Sequence, residues 1–179
     1  MSNYWKPEYN NKREKLRRLK REKAHMEKLN KFKIITDKIT LGYTAGIIDG
    51  EGCIIICKNK TLRKGHKNIS YLLQVRVGMA TTQAVTLLHK TFGGSYAHRA
   101  YGKHTPMNIW TINSIAAEGF LKLILPYLKV KQEEAKVALE FREHMNNYMG
   151  RNGRRLNITE IALREAYKLK MQELKKCVI

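Results

Sequence analysis

Two acids, Asp49 and Glu51, close the stretch Leu41-Gly42-Tyr43-Thr44-Ala45-Gly46-Ile47-Ile48, and glycine recurs at 42, 46 and 50. A four-residue spacing stacks the glycines on one face of a helix. Each glycine costs a helix about 1 kcal/mol relative to alanine, so three in register need a compensating interaction. Close approach of a second backbone is the usual one, as where small-residue stripes let helices pack. The acids then fall at the helix C-terminus, where the macrodipole already carries roughly half a negative charge. Two such helices side by side bring carboxylates and free carbonyls to one point. That is the all-oxygen donor set of a hard cation such as Mg2+.

The elements that must position these acids follow from local pattern. Thr40 is a candidate N-cap for a helix over 41–48. Cys53-Ile54-Ile55-Ile56-Cys57-Lys58 is β-branched and reads as a strand. Residues 61–67 read as a basic loop around Gly65, and 68–79 as a second strand. Thr81 or Thr82 caps a helix through Ala84, Leu87, Leu88 and Phe92, which Gly93-Gly94 stops. Strands over 95–99 and 108–112 flank a turn from Tyr101 to Pro106. A helix through Ala116, Phe120, Leu121 and Ile124 ends before Pro126, and helices over 130–145 and 159–176 complete the chain. The order α-β-β-α-β-β-α-α predicts a single α+β domain over 37–179, with one sheet face on helices and the other open to a ligand. Trp110 and Tyr127 are read as core or sheet-packing aromatics.

Residues 1–36 form a basic extension. Lys, Arg, Glu and Leu favour a helix there, and Leu16, Leu19, Met26 and Leu29 recur at near-heptad spacing. It is either a solvated helix or an arm on a partner's flanks.

The chain carries 35 Lys and Arg against 15 Asp and Glu, a net charge of +20 spread along its 179 residues. Such a field attracts polyanions and speeds encounter with them. Nucleic acid is the expected partner, and an anionic membrane surface a distant second. An RNA-packing protein fits the charge equally well. No apolar run approaches the roughly 18 residues of a membrane span, and the first residues show no apolar signal region. Cys53, Cys57 and Cys177 are odd in number and lack CxxC spacing, which argues against a disulfide framework or zinc finger and for a reducing intracellular setting.

Three stretches, in order, carry a resemblance to a known family. They are Thr44-Ala45-Gly46-Ile47-Ile48-Asp49-Gly50-Glu51-Gly52, Leu87-Leu88-His89-Lys90-Thr91-Phe92-Gly93-Gly94-Ser95, and Leu125-Pro126-Tyr127-Leu128-Lys129-Val130-Lys131-Gln132. They resemble the nine-residue motif, the helix-to-hairpin junction and the Pro-Tyr-Leu-x-x-Lys segment of the LAGLIDADG homing endonucleases, over about residues 40–175. The resemblance implies the family's α-β-β-α-β-β-α fold, with a curved antiparallel sheet forming a DNA-binding saddle. It implies that Glu51, with the Gly50 carbonyl, holds a catalytic divalent metal: Mg2+ or Mn2+, with Ca2+ able to bind without supporting cleavage. Lys131 matches the family's active-site lysine near the scissile phosphate, where a cation stabilises developing charge. Asp49 is read as tying down the helix end and the following turn. Many relatives place Gln or Asn at the end of the second strand to order water. Here the strand ends Val77-Gly78-Met79-Ala80-Thr81, leaving Gln74, Arg76 and Thr81 as substitutes.

A single motif implies a homodimer, with Gly42, Ala45, Gly46 and Asp49 at the interface and a near-palindromic target with one half-site per subunit. The implied product is a staggered double-strand break with short 3′ overhangs. A relative with an idle active site, either a transcriptional regulator or an intron maturase, is the alternative. Asn59, Asn68, Ser70, Gln74, Arg76 and His98 are expected on the open sheet face, with Lys60, Arg99 and Asn108 beside them. Arg63, Lys64 and Lys67 would grip phosphate or lie solvated, and Lys103 and His104 in the hairpin turn are expected to touch DNA. Double-stranded DNA and a second copy of the chain are the expected partners, with neither membrane nor organic cofactor. The setting would be a bacterial or phage-infected cytoplasm and nucleoid, or an organelle matrix.

Overall fold

Asp37, three residues before Thr40, starts the first helix. In the computed structural model its carboxylate accepts from Ile39 N at 3.2 Å and Thr40 N at 3.0 Å. Thr40 sits inside the first turn and donates its hydroxyl to the same carboxylate. An N-cap aspartate satisfies orphan donors and places its charge at the positive helix end, which a threonine cannot do. The structure describes residues 37–63, 66–100, 106–148 and 156–176, together with short helical pieces between 15 and 30.

Helix α1 (Lys38–Glu51) buries Leu41, Thr44, Ala45, Ile47 and Ile48. Gly52 then bonds back to the Ile48 carbonyl and opens strand β1 (Gly52–Arg63). A Cβ at Gly52 would lie 2.6 Å from the Ile48 oxygen, so only glycine lets the chain leave the helix this tightly. Strand β2 (His66–Met79) pairs antiparallel with β1 from Gly52↔Val77 through to Arg63↔His66. The basic loop expected over 61–67 is therefore mostly strand. Polar and charged residues alternate freely on a solvated antiparallel ribbon, so composition alone does not mark its end.

Helix α2 (Thr82–Phe92), strands β3 (Ser95–Arg99) and β4 (Met107–Asn113), helix α3 (Ser114–Ile124), a 3-10 turn (Leu125–Tyr127), α4 (Gln132–Asn147) and α5 (Ile158–Lys176) follow. The four strands run in the order β1-β2-β4-β3, antiparallel throughout. The architecture is α+β, a four-stranded sheet with five α-helices over residues 38–176.

The core lies between one sheet face and the helices. Ile54, Ile56, Leu73, Val75, Val77, Trp110 and Ile112 meet Ile48 of α1, Phe120 and Leu121 of α3 and Phe141 of α4. Phe120 contacts Trp110 and Phe92 edge-on, at centroid distances of 5.1 and 4.9 Å, the geometry ring quadrupoles favour. Trp110 Nε1 donates to the Gly93 carbonyl at 2.6 Å. Gly94, at φ +87°, would clash with the Thr111 carbonyl at 2.6 Å if it carried a Cβ, so the second glycine of the pair fixes the helix-to-strand junction.

Helix α5 is held on β1 by Glu165, which meets Lys58 Nζ at 2.7 Å and accepts from Tyr71 Oη. In the helical layer, buried Glu118 meets Lys122 and Arg142. Burial pushes the Glu118 carboxyl up, but hydrogen bonds from Lys122 and Asn146 hold it below its ordinary value. Met26 and Leu29 of the extension line a groove with Lys122 of α3 and Leu139 and Glu143 of α4.

Candidate functional site

The end of α1 is where the two acids separate in role. Asp49 turns inward: its Oδ2 accepts from Lys129 N at 2.8 Å and its Oδ1 from Lys131 N at 2.9 Å. It therefore clamps the segment leading into α4, as its position at the helix end predicts. Lys131 returns the contact, its Nζ donating to the Ile48 carbonyl at 2.9 Å and the Asp49 carbonyl at 2.7 Å. These are orphan carbonyls at a helix C-terminus, and a cation there complements the macrodipole. An ammonium has three donors, so one remains after the two carbonyls.

Glu51, two residues on from Asp49 and little more than half a turn round the helix, is exposed, and among the described residues its carboxylate takes no hydrogen bond or ion pair. The Gly50 carbonyl beside it belongs to the last turn, whose carbonyls lack intrahelical partners. Carboxylate and carbonyl oxygens are the donors a hard divalent cation prefers. One chain offers too few of them: no group of three His, Cys, Asp or Glu side chains converges among the described residues.

The face of α1 away from the core is open. Gly42, Gly46 and Gly50 are exposed, and a Cβ at any of them would meet nothing within 4 Å. Ile39 and Tyr43, at 84% and 55% exposure, lie on the surface of the same helix. Ala45 does not share this face. It is fully buried in the chain's own core, because position 45 follows Leu41 by four residues onto the apolar stripe.

On the sheet, side chains alternate between faces. Ile54 and Ile56 of β1 point to the core, so Cys53, Asn59 and Thr61 point away. Across the register, Asn68, Ser70, Gln74 and Arg76 of β2 stand with them. Exposed Arg99 on β3 shares that open side through its pairing with Met107. Arg76 lies opposite Cys53, which is two residues beyond Glu51, and its exposed guanidinium makes no hydrogen bond or ion pair among the described residues. Of the three substitutes at the end of β2, it therefore stands at the acid's end of the sheet. Gln74 is engaged instead, donating to Asn113 Oδ1 at 2.9 Å. Thr81 is exposed at the N-cap of α2 with no side-chain bond to that helix.

Three expected contacts fall elsewhere. Asn108 is 3% exposed and on the core side with Trp110 and Ile112. Its Nδ2 donates to the Ala80 carbonyl at 2.8 Å, and its Oδ1 accepts from Tyr96 Oη at 2.6 Å. It secures β4 to the start of α2 and is not a surface reader. His98 pairs with Asn108 in register, on the same helix-ward side, with Nδ1 3.0 Å from Asn108 Oδ1. Lys60 alternates with Asn59 onto the side of Lys58, which faces α5. The sequence reading missed Asn113, which the alternation Asn113, Thr111 along β4 places on the open side. The side chains of Arg63 and Lys67, and residues Lys64, Lys103 and His104, lie outside the described residues.

With this geometry in hand, the fold is that of the homing endonucleases. The chain is similar to I-CvuI, a homing endonuclease solved with a DNA target, at 20% identity over 77% of this chain and 83% of that one, with a TM-score of 0.59. It is similar to the archaeal intron-encoded homing endonuclease I-Vdi141I, solved with DNA, at 14% identity over 78% and 86%, with a TM-score of 0.59. The LAGLIDADG homing endonuclease I-GzeII, also solved with a DNA target, matches at 12% identity over 72% of this chain and 43% of that one, with a TM-score of 0.53. The particular architecture is thus the LAGLIDADG fold. No family model and no curated protein matches the sequence. No helix among the described residues is long and apolar enough to cross a membrane.

Proposed function

We propose that this chain is a site-specific double-strand DNA endonuclease that acts inside the cell as a homodimer. Its target would be long and near-palindromic, cut to short 3′ overhangs. The observation that carries the reading is the end of α1: an exposed Glu51 with no partner among the described residues, beside a lysine already seated on the helix carbonyls, on a helix whose glycine face is open. Pairing that face with a second copy through Gly42 and Gly46 brings two Glu51 carboxylates and two Gly50 carbonyls together. A divalent cation held there, Mg2+ or Mn2+, supplies Lewis acidity at phosphate oxygens and lowers the pKa of water. Lys131 keeps one donor for the phosphate, where a fixed cation stabilises charge that develops in the transition state. Asp49 holds Lys131 in place by gripping its backbone N–H. Asn59, Asn68, Ser70, Gln74 and Arg76 present polar groups from a sheet that fits a major groove, and Arg99 adds a cation.

A second reading, a DNA binder with an idle site, is favoured by one feature. Val77 is wholly buried and Gly78 carries no side chain, so β2 offers no amide beyond Gln74 for ordering water. A selection of bound sequences from a randomised palindromic library, followed by incubation with Mg2+, separates the two. The nuclease cuts the selected sequence at a fixed stagger, whereas the binder shifts it on a gel and leaves it intact.

A further inference from the structure

Lys175, in the last turn of α5, lies far in sequence from Glu51 and the start of β1. Its Nζ nevertheless reaches Cys53 Sγ at 3.3 Å, across 122 positions of chain. Cys53 is exposed, on the open side of β1, opposite Arg76 and two residues after Glu51. The same ammonium stands 3.8 Å from Glu134 Oε2, too long for a hydrogen bond. Glu134 is 6% exposed, and its Oε2 has no hydrogen-bond partner among the described residues. Burial pushes the Glu134 carboxyl up, opposed by the nearby charges of Lys175 and Lys131. The buried acid thus sits behind the lysine as a counter-charge without consuming its donors. The lysine side chain keeps 30% of its surface, and a thiol is only a weak acceptor.

We propose that Lys175 is a DNA-backbone contact, a phosphate-binding cation that α5 delivers to the edge of the sheet beside Glu51, with Glu134 as its counter-charge. The inference rests on the DNA-binding reading above. It assigns to the last helix a role at the nuclease end of the saddle, and it explains why a carboxylate is buried behind the lysine without a hydrogen bond. A contact of this kind carries no sequence information, so it strengthens every duplex equally and fixes the position of the phosphate chain.

The test measures binding of a mixed-sequence duplex across a series of salt concentrations, for the full chain and for K175Q, K175R and E134Q, with thermal unfolding of each. Each phosphate contact contributes about 0.9 to the slope of log affinity against log salt. K175Q is expected to lower that slope by about 0.9 per subunit, K175R to restore it, and E134Q to keep the wild-type slope. An unchanged slope in K175Q, or an equal loss in E134Q, overturns the inference by making the pair a structural strut. A wild-type chain with no salt-dependent duplex binding overturns the DNA-binding reading itself, and the inference with it.

Discussion

Replacing Asp49 with alanine removes an acceptor that joins α1 to the entry of α4 across 80 residues of chain. Two backbone N–H groups, of Lys129 and Lys131, lose their partner. A hydrogen bond to a charged acceptor contributes about 1.5–3 kcal/mol, and the lower end applies to a half-exposed carboxylate. Water can reach the Lys129 side of the turn, so the combined loss should be about 2 kcal/mol, or roughly 4–8 °C in Tm for a chain of this size. Asp49→Asn keeps one acceptor oxygen but turns an amide NH2 toward the other N–H, so it should show at least half of that loss. Urea unfolding with linear extrapolation reads the difference. Glu51→Gln is the matched control. It removes an unpartnered charge from the negative end of the same helix, so stability should change by less than about 0.5 kcal/mol, toward greater stability if at all. An Asp49→Ala chain as stable as wild type, or a Glu51→Gln chain equally destabilised, would refute the division of labour between the two acids.

Gly46→Leu should leave the isolated subunit folded, since a Cβ added there meets nothing within 4 Å, while sedimentation equilibrium should show a dimer for wild type and its loss in the variant. Asn108→Leu should cost about 2–4 kcal/mol by leaving the Ala80 carbonyl and Tyr96 hydroxyl without their partner, with duplex affinity per folded molecule unchanged in a titration. Glu165 titrates at about 2 against its ordinary 4.5, held down first by Lys168 and then by Lys58 and Tyr71. Its folded value lies below the unfolded one, so its contribution is fully present above about pH 4.5 and is lost as pH falls toward 2. That contribution is at most about 3 kcal/mol and nearer 1 once solvent screening is allowed for. Unfolding of wild type and Glu165→Gln should therefore differ at pH 7 and converge toward pH 2.

The elements read most surely are those with local signals. Glycine spacing, the β-branched run after Gly52 and the Gly93-Gly94 stop each act within a few residues, and each element forms where its pattern lies. Alternation moves two of the expected contacts to the other side of the sheet. Asn108 shares a face with Trp110 and Ile112, and Lys60 shares one with Ile54 and Ile56, so period two alone would have placed both on the helix side. Ala45, expected at the interface with Gly42 and Gly46, is set by helical spacing under Leu41 and is buried. Other features have no local signature. Nothing within ten residues of Lys131 says that its ammonium caps a helix 82 positions earlier, or that Lys175 returns to Cys53. Such contacts follow from how α4 and α5 pack beside β1, which pattern reading does not supply.

Cleavage by the wild-type protein and by Glu51→Gln, on the duplex selected from a randomised palindromic library, decides whether the chemistry lies at the end of α1. Reactions in Mg2+ and in Ca2+ would be followed by sequencing of the ends. The expected result is double-strand cuts at one position with a fixed 3′ stagger in Mg2+, binding without cutting in Ca2+, and a Glu51→Gln protein that folds and binds but leaves both strands whole. Cutting that persists at the wild-type rate in Glu51→Gln would contradict it, because the chemistry would then lie away from the end of α1.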